Sequence, residues 1–77
     1  MSNRKASPEI LLRLAGNLKR LRGECGYTQG ELAERSGMTE TLISNVEHGR
    51  WNVSLATLEA LEQGLGCNTW ELLRRTP

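Results

Sequence analysis

The 77-residue chain has no phenylalanine, no aspartate, one histidine and no apolar run longer than three residues. It contains no plausible set of nucleophile, base and acid and no glycine-rich phosphate loop, so we expect neither an enzyme nor a bound nucleotide cofactor. A membrane-spanning helix needs roughly 20 apolar residues. The first nine residues are largely polar, and no apolar signal-peptide segment follows them. We therefore expect a single cytoplasmic domain that does not contact a membrane.

Cysteine is also scarce. Cys25 and Cys67 lack the CxxC spacing of metal sites, and His48 cannot complete a usual zinc ligand set with them. We therefore expect no metal. Without an export signal the reducing cytosol is the expected compartment, which favours two free, buried or half-buried thiols. A single disulfide is the alternative interpretation.

Charge is unevenly distributed along the chain. The net charge is only +1. Residues 1–22 contain six lysines and arginines against one glutamate, a net +5, whereas residues 23–77 contain four arginines against eight glutamates, a net −4. A basic amino-terminal third suits a polyanion or an acidic partner surface.

Helix start and stop signals recur along the whole sequence. Serine, threonine or asparagine precedes each apolar-periodic segment, and glycine follows four of the five. No segment alternates between apolar and polar residues as a half-buried strand does. We predict an all-α domain over residues 7–74, preceded by a flexible basic arm at residues 1–6. The apolar stripe of the first helix is predicted to end at Cys25, and that of the fourth helix to begin at Leu55.

An ordered series of motifs surrounds the second and third helices. The motifs are Leu18-x-x-Leu21-Arg22, Tyr27-Thr28-Gln29, Glu31-Leu32-Ala33, Gly37-Met38-Thr39, Ile43-Ser44-x-Val46-Glu47-x-Gly49, Asn52-x-Ser54-Leu55, and Leu65-Gly66 followed by Glu71-Leu72. In these motifs the chain resembles the Cro/repressor-type helix-turn-helix family, often called XRE, over about residues 15–73. The resemblance implies a compact five-helix, lambda-repressor-like DNA-binding domain with the helix-turn-helix at helices two and three. We expect Ala33 and Gly37 to lie where those helices cross, and Gly37 to take the positive φ of a sharp turn.

The resemblance also implies which side chains position the recognition helix and which read bases. Arg22 and Glu47 match a partly buried ion pair, the alternative being two independent surface charges. The recognition helix, about residues 39–48, is expected to enter the major groove. Glu40 departs from the uncharged or basic residue common at its place, so its base contact is left open. Leu42 packs on the first helix or touches a methyl group. The predicted base contacts are Glu40, Thr41, Ser44 and Asn45.

A second set of side chains is expected to contact phosphates around the recognition helix. Gln29 lies in the first turn of the second helix, where the helix dipole favours an anion. Trp51 is either an indole donor to phosphate or an apolar lid on the core. The predicted phosphate contacts are Gln29, Thr39, Arg50, Trp51 and Asn52.

These inferences predict a sequence-specific transcriptional regulator that binds double-stranded DNA as a homodimer on a pseudo-palindromic operator. Trp70 and Leu73 are predicted to be an exposed apolar pair in the dimer interface. So short a chain has no room for an effector-binding domain, so no small-molecule ligand is expected. Minimal members of the family include phage repressors, regulators on mobile elements and restriction–modification controllers. The alternative is a protein-interaction module, antitoxin-like or an antagonist of another regulator, which the near-zero net charge and Glu40 favour.

Overall fold

The computed structural model describes residues 5–75, which contain five helices and no strand. The helices are α1 (Pro8–Cys25), α2 (Gln29–Ser36), α3 (Glu40–Glu47), α4 (Leu55–Leu65) and α5 (Thr69–Leu73). The all-α, five-helix prediction is confirmed. Residues 1–4 of the predicted amino-terminal arm lie outside the described residues. Within the described residues no helix combines the length and the apolarity needed to cross a membrane.

Local capping explains where the helices begin and end. Ser7 Oγ accepts from the Ile10 amide at 3.3 Å, and Pro8 occupies the first turn. At α2, Thr28 Oγ1 accepts from the Glu31 amide at 3.0 Å, while Glu31 Oε1 accepts from the Thr28 amide at 2.9 Å. This reciprocal capping box satisfies two amides that the helix leaves unpaired. The hydrogen bond from the Thr28 amide also lowers the pKa of the Glu31 carboxyl.

Each helix contributes to the core one aliphatic side chain that has no exposed surface. Around these five lie further buried aliphatic residues of α1, α2, α3 and α4, with Tyr27, Met38 and Val53 packed at the edge. All five helices therefore take part in a single core. The five side chains at 0% exposure are Leu18, Leu32, Ile43, Leu61 and Leu72.

A buried asparagine joins α1 to the end of α5. Asn17 is 1% exposed, and its Nδ2 donates to the carbonyls of Leu72 at 2.9 Å and Arg74 at 2.8 Å. The Arg13 guanidinium donates to the Leu73 carbonyl at 3.3 Å. The last carbonyls of a helix have no partner within the helix. Side chains of α1 therefore satisfy the end of α5 and hold it against α1.

Helices α2 and α4 pack closely at Gly64. A β-carbon at Gly64 would overlap Ser36 Oγ, whereas a β-carbon at Gly37 would have no atom within 4 Å. No close contact therefore requires glycine at position 37, but the positive φ that the sequence predicts there is confirmed. Gly37 has a φ of +66°, so glycine is favoured there by backbone conformation rather than by lack of space. Ala33, 4% exposed, is buried as predicted.

Two predicted core positions lie at the surface instead. Leu55, the first residue of α4, is 83% exposed, because the first turn of α4 extends beyond the core. Cys25 is also exposed, because it is the last residue of α1. Cys67 is half-buried as predicted, and burial raises the pKa of its thiol. Both cysteines are free thiols.

Candidate nucleic-acid interface

Helices α2 and α3 form a helix-turn-helix through the turn at Gly37. The Met38 amide donates to the Ala33 carbonyl at 2.9 Å, which closes the turn after α2. Thr39 Oγ1 accepts from the Leu42 amide at 3.1 Å and so caps α3. This hydroxyl is a predicted phosphate contact, and its capping bond still leaves the hydroxyl hydrogen free to donate.

The inner face of α3 is held against α1 by a bidentate ion pair. Arg22 Nε and Nη2 donate to the two carboxylate oxygens of Glu47 at 2.6 and 3.0 Å. Arg22 Nη1 donates to the Tyr27 carbonyl at 2.8 Å. Glu47 is 2% exposed, so the structure brings the predicted pair together in a nearly dry site. Because Arg22 presents a planar fork to both oxygens, the pair fixes the direction of α3 as well as its distance from α1.

Gln29 joins the same network. Its Nε2 donates to Glu47 Oε1 at 3.1 Å, so the amide nitrogen faces the ion pair. Burial opposes ionisation of Glu47, but the hydrogen bonds from Arg22 and Gln29 outweigh it and hold the pKa of this carboxyl below its ordinary value. Sequence reasoning treated Gln29 as a phosphate contact and missed this internal role. The missed signal is the proximity of Gln29 to Glu47, which no spacing along the chain reveals.

The predicted base contacts lie along the outer side of α3. Glu40 and Thr41 are exposed, and Ser44 and Asn45 are half-buried one turn further on. A β-carbon at Gly30 would lie 3.5 Å from Glu40 Oε2, so the Glu40 carboxylate lies beside the first turn of α2. The four side chains therefore share one surface, and one of them carries a negative charge.

The segment after α3 presents further polar groups. Arg50 is exposed, and its amide donates to the Asn45 carbonyl at 3.0 Å. Trp51 is 44% exposed, which disfavours its interpretation as an apolar lid on the core. Asn52 Oδ1 accepts from the Ala6 amide at 2.9 Å. This bond holds the end of the predicted flexible arm against the loop that follows α3.

Helix α5 exposes one large aromatic side chain. Trp70 is 58% exposed, and the Arg74 guanidinium lies 5.9 Å from the centre of its ring. Leu73 is half-buried and packs against the core, so it does not form the exposed pair with Trp70 that the sequence predicts. The carboxyl end of α5 is held against α1, which turns Leu73 inward.

The sequence is similar to a known protein family and to several curated relatives. The family model described as a helix-turn-helix domain matches residues 13–75. An uncharacterised HTH-type transcriptional regulator, y4dJ, of Sinorhizobium fredii is 41% identical over 63 residues, covering 82% of each chain. A hypothetical transcription factor of Neisseria meningitidis is 38% identical over 60 residues, which are 78% of this chain and 57% of that relative.

Two solved structures have the same arrangement of helices. The hypothetical transcription factor NHTF from Neisseria superimposes with a TM-score of 0.82 at 31% identity, over 96% of this chain and 86% of that one. The restriction–modification controller protein C.AhdI from Aeromonas hydrophila gives a TM-score of 0.78 at 34% identity, over 80% of this chain and 94% of that one. The matched family model spans α2, the turn at Gly37 and α3.

Proposed function

Because this chain belongs to the XRE-type helix-turn-helix family of DNA-binding transcriptional regulators, we propose that it reads a specific DNA sequence by placing α3 in the major groove. Members of this family are not enzymes. The main support for this proposal is that the two sides of α3 make different contacts. Arg22 and Gln29 hold its inner side through Glu47, while Thr41 and Asn45 lie on its outer side.

Base recognition is assigned to the outer side of α3. The carboxamide of Asn45 suits adenine, because it can donate to N7 and accept from the N6 amino group in the major groove. The Thr41 side chain suits the methyl group of thymine. The Ser44 hydroxyl can donate or accept, and its Oγ lies 3.5 Å from His48 Nδ1. Glu40 can only accept from a base amino group, and cytosine is its proposed partner. Elsewhere its charge opposes DNA, so Glu40 restricts the sequences that α3 accepts.

Phosphate contacts are assigned to groups on either side of α3. Arg50 supplies the strongest one, because it is charged and exposed. Thr39 and Asn52 each retain hydrogen atoms to donate, since only their oxygens are engaged as acceptors within the domain. Gln29 contributes mainly through the amides of the first turn of α2, since its side-chain nitrogen faces Glu47.

A dimer is proposed because one domain of this size contacts only a few base pairs. A few base pairs do not distinguish one site from roughly 10⁶ or more competing genomic sites. Two copies related by a dyad would read half-sites about 34 Å apart on a pseudo-palindromic operator. Trp70 is the proposed centre of the interface, since it is 58% exposed and tryptophan is enriched among residues that dominate binding energy. Leu73 is half-buried, so only the exposed part of its side chain can contribute to the interface. Such a dimer would act in the cytoplasm, where the DNA lies.

The specificity assignment is tested by substitutions that separate base contacts from phosphate contacts. A duplex is selected from random DNA, and the Kd values of the selected and a scrambled duplex are measured by fluorescence anisotropy. Asn45→Ala is expected to cost roughly 1–3 kcal/mol on the selected duplex only. Arg50→Ala is expected to weaken both duplexes and to lower the salt slope by about one. Gln63→Ala removes an exposed amide from α4 and serves as the matched control. If Asn45→Ala and Arg50→Ala act alike on both duplexes, the roles are misassigned.

The dimer is tested separately by sedimentation at micromolar concentration. The wild-type chain is expected to sediment as a dimer, and Trp70→Ala to shift towards monomer while far-UV helicity persists. Trp51→Ala is the matched control, because it removes the other exposed tryptophan. A wild-type chain that stays monomeric both alone and on its selected duplex would exclude the dimer.

A second candidate function is a protein-interaction module that uses this fold without reading DNA, antitoxin-like or an antagonist of another regulator. The observations that favour it are the net charge of +1 and the Glu40 carboxylate beside α2. This alternative predicts no affinity for any duplex even at low salt, where phosphate-driven binding is strongest.

A further inference from the structure

A shallow apolar depression lies beside the outer face of α3. It encloses about 230 Å³ and is lined by Thr39, Thr41, Leu42, Asn45 and Trp51. Leu42 is half-buried with its side chain packed against the core, and Trp51 is 44% exposed. A leucine and an indole therefore form an apolar surface directly beside two side chains that are proposed to read bases.

The chemistry of the major groove limits what this surface can bind there. Base pairs present hydrogen-bond donors and acceptors at that edge, and their apolar feature is the C5-methyl group of thymine. Adenine, which suits Asn45, is paired with thymine, so a methyl group comes close to any adenine that Asn45 reads. The depression is open to solvent on one side and lined almost entirely by apolar surface. A methyl group at the edge of a base can therefore contact it without a polar group being buried.

We propose that this depression binds the C5-methyl group of a thymine next to the adenine read by Asn45. The inference rests on the proposed function and refines it, because Leu42 and Trp51 become specificity-determining residues. It also gives a reason for leucine at position 42, where the family resemblance leads one to expect a polar residue. Trp51 then contacts a base edge, rather than only the phosphate assigned to it from the sequence.

The inference is tested first on the DNA, so that protein folding plays no part. In the selected duplex each thymine is replaced in turn by uracil, which removes only the C5-methyl group. Burying one methylene-sized group contributes about 0.8 kcal/mol, and 1.4 kcal/mol is tenfold in Kd. We therefore expect one thymine in each half-site to weaken binding about fourfold when its methyl is removed. Selected duplexes that bind equally with uracil at every position would overturn the inference.

Protein variants then locate the methyl contact. The ratio of the Kd values for the uracil and thymine duplexes is measured for each variant, so any general loss of affinity cancels. Trp51→Ala and Leu42→Ala are expected to bring the ratio close to one. Leu55→Ala, which removes an exposed leucine outside the depression, is expected to keep the fourfold ratio. A wild-type ratio in both Trp51→Ala and Leu42→Ala would overturn the assignment to this depression.

Different results would contradict the proposed DNA binding and the proposed methyl contact. If no sequence is enriched from random DNA and no duplex binds at low salt, the proposed function itself is wrong. If a selected duplex binds tightly but is insensitive to every thymine methyl, sequence-specific binding stands and only the methyl contact is wrong.

Discussion

Two of the polar contacts that α1 makes reach different helices, and their chemistry differs. Towards its carboxyl end, Arg22 pairs with the buried carboxylate of Glu47 on α3. In its middle, Asn17 donates to two carbonyls at the end of α5. The α3 contact joins opposite charges, whereas Asn17 satisfies two neutral carbonyls. The contact with α3 therefore depends on the ionisation of Glu47, and the bonds from Asn17 to α5 involve no titrating group.

The largest expected difference comes from removing one partner of each contact. Glu47→Ala leaves Arg22, whose side chain is 22% exposed, beside α3 without its counter-charge. Breaking a buried pair this way costs up to about 3–5 kcal/mol when the remaining charge stays buried. Urea denaturation at neutral pH measures the loss. A double-mutant cycle with Arg22→Ala is expected to be strongly non-additive, since the two side chains lose one shared interaction. Additive losses would mean that the pair contributes nothing as a pair.

Asn17→Ala is expected to cost less, about 1–3 kcal/mol. The substitution leaves the buried Leu72 carbonyl without a partner but leaves no charge unpaired. The same urea denaturation measures it. The comparison between the two sides of α1 would be wrong if Asn17→Ala destabilised the domain as much as Glu47→Ala.

The dependence of stability on pH separates the two contacts further. The folded state lowers the pKa of Glu47, so its contribution is fully present above the ordinary carboxyl pKa of about 4.3 and is lost as pH falls towards the folded pKa. Glu47→Gln, which cannot ionise, is expected to lose less stability than wild type on acidification, measured by urea denaturation between about pH 7 and pH 3. Glu31 has a lowered pKa with the same sign, so the difference from wild type is the informative quantity.

Asn17→Ala supplies the control for this pH series. Because it removes only a neutral amide, it is expected to keep the wild-type slope of stability against pH. A flattened slope in Asn17→Ala, or an unchanged slope in Glu47→Gln, would contradict the division of α1 into a charged and a neutral contact.

The smallest change in stability is expected at Ser36, which takes part in neither the ion pair nor the Asn17 bonds. Among the described residues, Ser36 Oγ is a buried polar atom without a hydrogen-bond partner, and it lies against Gly64. Ser36→Ala removes that unpaired group, so thermal denaturation is expected to show unchanged or slightly raised stability. A clear loss would show that the hydroxyl has a partner within α2 or α4.

The sequence predicts the helices well because their ends are decided locally. Thr28 and Glu31 cap each other across three residues, and Gly37 requires only its own backbone conformation. The buried aliphatic positions follow from helical periodicity for the same reason. Leu55 and Cys25 are exceptions, because each is an end residue of its helix that the core does not reach.

Contacts between distant parts of the chain were harder to predict. The Arg22–Glu47 pair was expected only from family resemblance, and the bond from Gln29 to Glu47 was not expected. Asn17 left a signal, since it interrupts the apolar side of α1 between Leu14 and Leu18, but its partners are carbonyls 55 and 57 residues away. Such partners depend on where the end of α5 comes to lie, which no local pattern determines.

A fluorescence anisotropy titration of labelled genomic DNA fragments with the wild-type chain tests whether the surface of α3 binds DNA. The salt concentration is varied from about 50 mM to 200 mM, the range over which phosphate-driven affinity falls steeply. We expect saturable binding at the lowest salt, with log K falling linearly as log salt rises and a shallower slope for Arg50→Ala. The absence of any binding at the lowest salt would exclude a DNA-binding surface and favour the protein-interaction module.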